Sequence, residues 1–446
     1  MKENIDLKDL AQVRNNYEGS TKDTILRHAL SVTPMNQIAT SYDSFKDHDF
    51  SFSVDIKTLP VSNQKNSGRC WIFSASTILR EIINKKLHVT DQFEISQNYI
   101  SYFDKLEKFN YYFQNVLNLT LEGYKHDDRK MAFLLQGVGD GGQWDMYVDL
   151  IKKYGIVPKS VFPETEQSNN TNLSTRLGNA ALRKFASEVI KMKEEGRSKK
   201  EMLALKGEYM KKIYALLSDC FGLPPEKFDF EYVDEKNQYH IIKDLTPKSF
   251  FETYVGDEID EYVSLIHAPT KDKEYYQTYN VELVGNVYDG KPITHLNLPF
   301  ERLEELIINQ LKSGEVVWFG SDVSYYGDRP NGSWSDAAFD YETPFGLDFK
   351  FDKADMLDFG HSAMNHAMVI TGVDLKDGKP VRWKIENSWG DDIGHKGYFV
   401  MNESWFRSFV YQAAIKKKYL NEKELEALKK KPVLLAPWDP FGTLAD

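Results

Sequence analysis

The chain has 446 residues, of which 41% are hydrophobic and 28% charged, and its formal net charge is −11. This length allows a large core and is usual for two or more domains. The acidic balance argues against sequence-independent binding of nucleic acid, which needs basic charge. No run of 18 apolar residues predicts a membrane span, and the N-terminus has no apolar signal core. Two cysteines cannot form a disulfide framework, so we expect a cytoplasmic protein.

The first 50 residues predict a helical, loop-rich lead-in, in which Leu7, Leu10 and Val13 share one helical face. Residues 50 to 56 then alternate between apolar and polar side chains, which is the period of a half-buried strand. This strand leads into the loop that precedes Cys70.

A helix is predicted from Trp71 to Lys85, because apolar residues recur at helical spacing and neither Pro nor Gly interrupts them. Cys70 stands at the N-terminus of this helix. Unpaired backbone N–H groups and the helix dipole favour a thiolate there. A buried, unreactive thiol is the usual alternative for a free cysteine. The interpretation of Cys70 as a nucleophile therefore depends on a base elsewhere in the chain.

Residues 90 to 130 carry aromatic side chains at helical spacing, which is more typical of core packing than of a ligand site. The following segment, Gly137 to Gly142, matches the Gly-x-Gly-x-x-Gly pattern of dinucleotide-binding loops, with Glu164 at a suitable distance. However, residues 131 to 136 fit a helix as well as a strand, and no α/β repeat follows. A loop in which backbone approaches another group closely is the better interpretation.

The middle of the chain predicts two amphipathic helices between Leu173 and Cys220, with Cys220 on an apolar face and therefore unreactive. Residues 225 to 300 show mixed patterns. The further elements predicted up to residue 320 are a strand-like run at Asn280–Val287, a helix at Phe300–Leu311 and a buried strand at Val316–Gly320.

A β-hairpin is predicted near the C-terminal end, with Asp377-Gly378 as its turn. His366 begins the first β run, and Asn387 follows the second. A hairpin closed on this turn places His366 opposite Trp389, and pairing shifted by one step places it opposite Asn387. Both registers remain open from the sequence.

In either register, an imidazole and a carboxamide meet at one edge of the sheet. The Asn387 oxygen can accept from one ring nitrogen of His366, which leaves the other nitrogen to take a thiol proton. A core histidine and a turn asparagine are the ordinary alternatives for each residue alone. His361 and His395 have no comparable setting. Together with Cys70 at a helix start, the pattern favours a Cys–His–Asn site.

At these residues the chain resembles the papain-like cysteine peptidases. The shared motifs are Gln64, Ser67-Gly68-Arg69-Cys70-Trp71, Asn365-His366-Ala367 and Asn387-Ser388-Trp389-Gly390. The chain departs from the family at Arg69, where a small residue is usual, and it lacks the upstream cysteine. The interval from Cys70 to His366 is about twice the roughly 130–150 residues of short members. A helical insertion would account for the excess.

With these departures, the chain resembles the intracellular branch that contains bleomycin hydrolase and bacterial aminopeptidase C. The resemblance also covers the stretches Asp140-Gly141-Gly142-Gln143-Trp144, Tyr154-Gly155-Ile156-Val157-Pro158 and Ala436-Pro437-Trp438-Asp439-Pro440. It implies an α+β, papain-like two-lobed fold. The expected segments are a lead-in and helical lobe with Cys70 (1–160), a largely helical insertion (161–300), a β-barrel-like lobe with His366 and Asn387 (301–431) and a C-terminal arm in the cleft (432–446).

The resemblance also implies roles for single residues. Gln64 and the Cys70 backbone N–H would form the oxyanion hole, Trp389 would shield the His–Asn hydrogen bond, and Gly141 and Gly142 would lie against the substrate backbone. The branch resembles homohexamers whose active sites face an internal channel. Peptides are the expected partners, nucleic acid and membranes are not, and no metal or cofactor is expected.

The C-terminal arm contains three prolines, which argue against a helix and favour an extended path. Trp438, Phe441 and Leu444 are costly to leave in water, so we expect the arm to dock. The resemblance implies that a terminal carboxylate, at Asp446 here, meets the substrate α-amino group. That contact would reward a free N-terminus. Because some relatives trim their ends, the last residue of the mature protein stays open.

The predicted function is that of an intracellular thiol aminopeptidase acting through a Cys70 acyl-enzyme. An endopeptidase of the same fold is the alternative if the arm does not fill the cleft. A non-catalytic protein that binds peptides or nucleic acid on this scaffold is the alternative from a different class.

Overall fold

The computed structural model describes residues 4–42, 49–90 and 93–445. The first half of the described chain has only helices as secondary-structure elements, apart from one short strand. Its elements are α1 (Leu7–Glu18), α2 (Thr21–Leu30), α3 (Met35–Ala39), β1 (Val54–Asp55), α4 (Cys70–Leu87), α5 (Gln97–Glu122), α6 (Arg129–Gln136), α7 (Trp144–Tyr154), α8 (Glu166–Asn169), α9 (Asn172–Glu194) and α10 (Lys199–Phe221).

The second half contains most of the strands. Its elements are β2 (Phe228–Val233), β3 (Tyr239–Leu245), α11 (Pro247–Tyr254), β4 (Tyr262–Ile266), β5 (Thr278–Val281), β6 (His295–Asn297), α12 (Phe300–Lys312), β7 (Val317–Ser321), β8 (Gly327–Asp328), β9 (Ser333–Trp334), α13 (Glu342–Phe345), α14 (Lys353–Asp358), β10 (His366–Lys376), β11 (Lys379–Glu386), β12 (Tyr398–Asn402), α15 (Glu403–Phe409), β13 (Val410–Lys416), α16 (Glu422–Leu428) and β14 (Val433–Leu435). The predicted α+β class is confirmed.

One large mixed sheet organises this half. Its strand order is β14-β5-β6-β4-β13-β7-β10-β11-β12-β9-β8, and β1 pairs with β10 outside this path. Strands β2 and β3 form a separate hairpin. The central strands β7, β10 and β13 are buried almost throughout, as expected for strands covered on both faces.

The predicted helix at Trp71–Lys85 is α4, which lies between the helices and the sheet. Its apolar side chains are buried, and it ends at His88, whose φ of 49° is left-handed. Trp71 lies in the same core as Trp144 and Trp318, whose rings are 5.8 Å apart. The indole N–H of Trp318 donates to the Trp71 carbonyl at 3.4 Å. Aromatic packing of this kind holds α4 in one position against the sheet.

The aromatic stretch at 90–130 is α5, and its rings pack in the core as predicted. They join α9 and α10 in a separate apolar cluster. The ring of Phe113 lies 4.6 Å from that of Phe185 on α9 and 5.8 Å from that of Tyr209 on α10. The two amphipathic helices predicted between Leu173 and Cys220 are therefore confirmed as α9 and α10.

Three expectations need correction. The strand expected at residues 50–56 is only β1, two residues long, and its backbone contact with β10 continues only to the Ile56 N–H, which donates to the Thr371 carbonyl at 2.8 Å. The segment 161–300 is helical up to Phe221 and again at α11, but β4, β5 and β6 join the main sheet. The C-terminal arm is extended only in β14, and residues Pro440–Ala445 form a 3₁₀ turn, which a proline at its first position permits.

The Gly137 to Gly142 loop does not belong to a dinucleotide-binding unit. The element before it is the helix α6 rather than a strand, so the βαβ context is missing. Within the described ranges, none of the helices has the length and apolar character needed to cross a membrane.

Candidate active site

The four residues expected to carry out catalysis come from separate parts of the chain. Cys70 is the first residue of α4, His366 is the first residue of β10, and Asn387 directly follows β11. Gln64 lies in the loop between β1 and α4. All four side chains are buried, each less than a tenth exposed.

His366 and Asn387 are joined by a hydrogen bond of 2.9 Å between Nε2 and Oδ1. The same Oδ1 accepts from the backbone N–H of Ser388 at 2.8 Å, which identifies it as the amide oxygen. Because an amide oxygen only accepts, Nε2 of His366 carries a proton and Nδ1 is left as an acceptor. This is the tautomer that a general base for a thiol requires.

The hairpin register decides which residue of the second strand lies opposite His366. Asp377 and Gly378 both have positive φ, as a two-residue hairpin turn requires. One residue bulges from each strand, so the two register shifts cancel and Val369 pairs with Glu386. Continuing that register puts His366 opposite Trp389, which is the first of the two predicted alternatives.

Trp389 covers the histidine. Its ring stacks on His366 with centroids 4.9 Å apart and an interplanar angle of 29°. The Arg329 guanidinium lies over the Trp389 ring at 4.8 Å. An indole stacked on the imidazole is the arrangement that the shielding role predicted for Trp389 requires.

The Cys70 sulfur lies against the first residues of β10. The backbone N–H of Ala367, next to His366, donates to Sγ at 3.4 Å. Burial raises the pKa of the Cys70 thiol to about 11, although the N–H groups of Ala367, Trp71 and Cys70 work to lower it. The helix N-terminus acts in the predicted direction, but burial outweighs it, so the thiolate is not the favoured form of Cys70 on its own.

Burial acts on the base as well. Burial lowers the pKa of His366 to about 4. The hydrogen bond to Asn387 works to raise this pKa, and the positive charge of Arg329 lowers it further. Each buried charge is thus disfavoured alone. Transfer of the proton from sulfur to imidazole creates both charges together, and each then stabilises the other.

Gln64 is held in one orientation by its neighbours. Its Oε1 accepts from the Ser388 hydroxyl at 2.6 Å, and its Nε2 donates to the Ser67 carbonyl at 2.6 Å. Its backbone N–H donates to the Ser388 carbonyl at 2.8 Å. A carboxamide nitrogen has two N–H groups, so a second donor remains for a ligand. A free N–H of this kind is what the predicted role of oxyanion donor requires, and that role stays a prediction.

The glycine loop is held from α5. The Lys108 ammonium donates to the carbonyls of Gly139 and Gly141, and it pairs with Asp104 at 2.9 Å. The Gly141 carbonyl therefore points into the protein and is not available to a substrate. A Cβ at Gly142 would lie 2.4 Å from the Trp71 ring, so only glycine fits there. The close approach at Gly142 is thus to the Trp71 ring, and the substrate contact expected of Gly141 and Gly142 stays a prediction.

Asp140 anchors the same loop. It pairs with the Lys105 ammonium and accepts from Thr171 and, at 3.1 Å, from the Gly68 backbone N–H. Burial works to raise its pKa, but Lys105 holds that pKa well below the ordinary value. The Asp140 carbonyl accepts from the Trp71 indole at 2.7 Å. The glycine loop and the first turn of α4 thus form one connected unit.

The C-terminal arm docks beside the site, as the sequence predicts. Phe441 and Leu444 are buried, and the Phe441 carbonyl accepts from Gln143 at 3.1 Å. The Thr443 hydroxyl donates to the Met364 carbonyl at 2.8 Å, two residues before His366. Asp446, the predicted partner of the substrate amine, lies outside the described residues.

The side chain of Leu444 shows how near the arm comes to the nucleophile. A Cβ at Gly320 on β7 would lie 3.3 Å from Leu444, and Gly320 pairs with Ala367 on β10. Ala367 is the residue whose N–H contacts the Cys70 sulfur. The 3₁₀ turn of the arm therefore packs against β7 at the residue that pairs with Ala367.

Sequence reasoning did not find three residues that surround the site. In the sequence Arg69 stands out only as a departure from the family motif, yet in the structure it forms a buried ion pair with Glu164. Glu164 was considered only as part of a dinucleotide pattern. Arg329 carried no signal, because its contact with Trp389 depends on tertiary packing. Its place in the sequence next to the nucleophile is the signal that could have pointed to Arg69.

This α+β architecture, with a thiol at a helix start and an imidazole at a strand start, is that of the papain-like cysteine peptidases. A family model described as the Peptidase C1-like family matches residues 4–442, and the chain belongs to that family.

Relatives resemble the chain over nearly its whole length. It is 48% identical to "Aminopeptidase C" of Lactobacillus delbrueckii subsp. lactis, over 94% of each sequence. It is 43% identical to "Aminopeptidase C" of Lactobacillus helveticus, over 100% of this chain and 99% of that protein. The crystal structure of pepw from Lactobacillus rhamnosis HN001 superposes with a TM-score of 0.96 at 45% identity, over 99% of each chain.

Replacement of Arg329 by Gln tests the electrostatics of the base. Loss of the positive charge favours the imidazolium, so the pKa of His366 should rise. More of Cys70 is then thiolate at neutral pH, and alkylation by iodoacetamide should be faster by about two- to fivefold, the scale of an exposed charge interaction. Arg197→Gln, at the exposed turn between α9 and α10, is the matched control and should leave the rate unchanged. An unchanged or slower rate in Arg329→Gln would contradict the assignment.

Proposed function

We propose that this protein is a cysteine aminopeptidase, which releases N-terminal residues from peptides through a Cys70 acyl-enzyme. The observation that carries the proposal is the His366–Asn387 hydrogen bond beside a buried Cys70 sulfur, with a C-terminal arm docked next to it. The relatives named Aminopeptidase C, which match almost the whole chain, support the same function. Acyl transfer of this kind uses only protein side chains and water.

The reaction begins with transfer of the Cys70 proton to Nδ1 of His366. The sulfur attacks the carbonyl carbon of the first peptide bond, and the carbonyl electrons move onto oxygen. His366 then gives its proton to the leaving amine as the C–N bond breaks. Water, deprotonated by the same imidazole, hydrolyses the thioester and restores the thiol. Asn387 keeps the ring oriented in both steps.

The oxyanion that forms in each step needs donors. The second N–H of Gln64 and the backbone N–H of Cys70, which has no intrahelical partner at a helix start, are the proposed pair. Ser388, the residue after Asn387, orients both groups. Its hydroxyl donates to the Gln64 side chain, and its backbone N–H donates to the Asn387 side chain. Such pre-oriented donors stabilise the transition state without reorganising.

The docked arm supports exopeptidase specificity. Its 3₁₀ turn packs beside β7 and the start of β10, and in this proposal it limits how far a substrate can extend past its first residue. A carboxylate at the end of the arm, at Asp446, would pair with the substrate α-amino group and favour a free N-terminus. Gly142 is the proposed wall for the bound residue. An endopeptidase would need this arm to leave the cleft.

We also propose a homohexameric assembly located in the cytoplasm. Leu7, Leu10 and Val13 on α1 and Ile25 on α2 are exposed, and an apolar surface of this kind is typical of an interface. Both cysteines are free thiols, which suits a reducing compartment. Sedimentation velocity of the purified chain should give about six times its mass of 51.6 kDa. A monomeric mass would contradict the assembly but not the chemistry.

Replacement of Cys70 by Ala should abolish hydrolysis of aminoacyl-naphthylamides, because the acyl-enzyme can no longer form. The expected loss is roughly 10⁴-fold or more, by comparison with losses on removal of a nucleophile. Cys220→Ala, which removes the other thiol, should keep full activity and serves as the control. Turnover above a few per cent of wild type in Cys70→Ala would overturn the assignment, and so would a protein in which Cys70 resists every thiol reagent. The latter result would favour a non-catalytic binding protein.

Deletion of Thr443 to Asp446 should change the substrate preference. Without these four residues the arm no longer covers the positions beside Gly320, so N-blocked peptides should become substrates while free N-termini lose their advantage. The measurement is kcat/KM for a peptide with a free and with an acetylated N-terminus. Unchanged alkylation of Cys70 in the deletion variant shows that the site is intact. An unaltered preference would favour a determinant outside the arm.

A further inference from the structure

The loop that leads to the nucleophile is anchored to the helical segment after residue 160. We propose that Arg69 and Glu164 are positioning residues for the oxyanion hole. Their buried ion pair holds the loop from Gln64 to Cys70 in the shape that makes its two oxyanion donors converge. This inference rests on the proposed function and assigns a task to a segment outside the Cys–His–Asn group.

The ion pair itself has the geometry of a fork. Arg69 Nη1 and Nη2 lie 3.3 and 3.0 Å from the two carboxylate oxygens of Glu164. The guanidinium is 1% exposed, and it lies over the Phe73 ring at 5.2 Å. Ser168 on α8 donates to Glu164 at 2.5 Å and orients the carboxylate. A planar fork pairs with a carboxylate in one plane only, so the contact sets direction as well as distance.

A continuous chain of hydrogen bonds runs from this pair to Gln64. Arg69 Nε donates to the Ser67 hydroxyl at 2.9 Å, and that hydroxyl donates to the Gln64 carbonyl at 2.6 Å. The Gln64 side chain returns a hydrogen bond to the Ser67 carbonyl at 2.6 Å. The position of the amide that faces the substrate therefore depends on where Arg69 is held.

Arg69 also controls the second donor. It is the residue before Cys70 and caps α4 with φ −87° and ψ 20°, without a side-chain hydrogen bond to the helix. Rotation about its backbone would turn the Cys70 N–H away from the position of the oxyanion. The ion pair restrains this rotation, because the Arg69 side chain is tied at both its Nε and its Nη atoms.

Two backbone contacts attach the same loop on either side of Ser67. The Asn66 N–H donates to the Asn169 carbonyl at 3.0 Å, and the Gly68 N–H donates to Asp140 at 3.1 Å. Asn169 ends α8, which begins two residues after Glu164. The segment from Glu164 to Asn169 thus supports the loop by an ion pair and a backbone bond. A small residue at position 69 would leave the first of these unmade.

The test uses Glu164→Gln, which keeps the shape of the side chain but removes its charge. The kcat for leucine 2-naphthylamide should fall on the order of tenfold, because complete loss of one oxyanion donor costs about 10²–10³-fold. KM should stay within about twofold, since ground-state binding does not use the oxyanion. If the variant were only less well folded, its activity would instead fall in proportion to the amount of folded enzyme.

Leucinal gives an independent readout. The Cys70 sulfur adds to its carbonyl carbon, and the thiol proton ends on the carbonyl oxygen, which then occupies the oxyanion hole. The inhibition constant of leucinal should therefore rise by about the same factor as kcat falls. Arg69→Lys should show the same pattern, because an ammonium cannot contact Ser67 and Glu164 with the same fork. Glu164→Asp, which keeps the charge, should lose less.

Glu424→Gln is the matched control. Glu424 is fully buried and pairs with Arg302 at 2.7 and 3.0 Å, but it joins α16 to α12 rather than supporting the oxyanion loop. Melting temperature should fall in both charge-removing variants, while kcat and leucinal inhibition should change only in Glu164→Gln. Equal kinetic effects in both variants, or kcat and leucinal inhibition within twofold of wild type in Glu164→Gln, would overturn the inference. Failure of the proposed function is a separate result. It would show as hydrolysis by the wild-type protein that continues after Cys70 has been alkylated.

Discussion

The contact between the first turn of α4 and the start of β10 is the interaction on which the site depends. The Cys70 sulfur meets the Ala367 N–H there, and His366 stands one residue away. The aromatic core of Trp71, Trp144 and Trp318 sets this distance, because close-packed rings leave α4 little freedom to slide along the sheet. On the far side of β10, β7 brings Gly320 and the docked arm to the same point. Nucleophile, base and arm therefore share one helix–sheet interface.

Burial shapes the chemistry at this interface. It disfavours a lone thiolate and a lone imidazolium, and the backbone donors of the helix start only partly offset it. Oriented dipoles compensate for this burial. Asn387 contacts the imidazole, the Ala367 N–H contacts the sulfur, and Gln64 is held between Ser67 and Ser388. Groups that are already oriented stabilise charge as it develops without paying for reorganisation. The restraint on Gln64 reaches back to the Arg69–Glu164 pair.

Much of the local structure follows from patterns in the sequence. Helical periodicity marked α4, α9, α10 and α12, since each must cover an apolar stripe. The Asp377-Gly378 turn marked the hairpin, because both residues tolerate positive φ. The register at His366 was open because each bulge moves the pairing by one residue, and two bulges happened to cancel. The strand at 50–56 is shorter than predicted, because alternation does not report how far the pairing with a partner strand extends.

The sequence by itself determined the chemical groups of the site and their local settings: a cysteine at a helix start, a histidine at a strand start and an asparagine after the paired strand. Only the tertiary structure decided their protonation, since the pKa values of Cys70 and His366 depend on burial that no local pattern encodes. It also decided which distant residues support them. Arg69 and Glu164, or the arm at Leu444 and Gly320, meet through packing between elements remote in the chain. Periodicity reports which face of an element is buried, but not what lies against it.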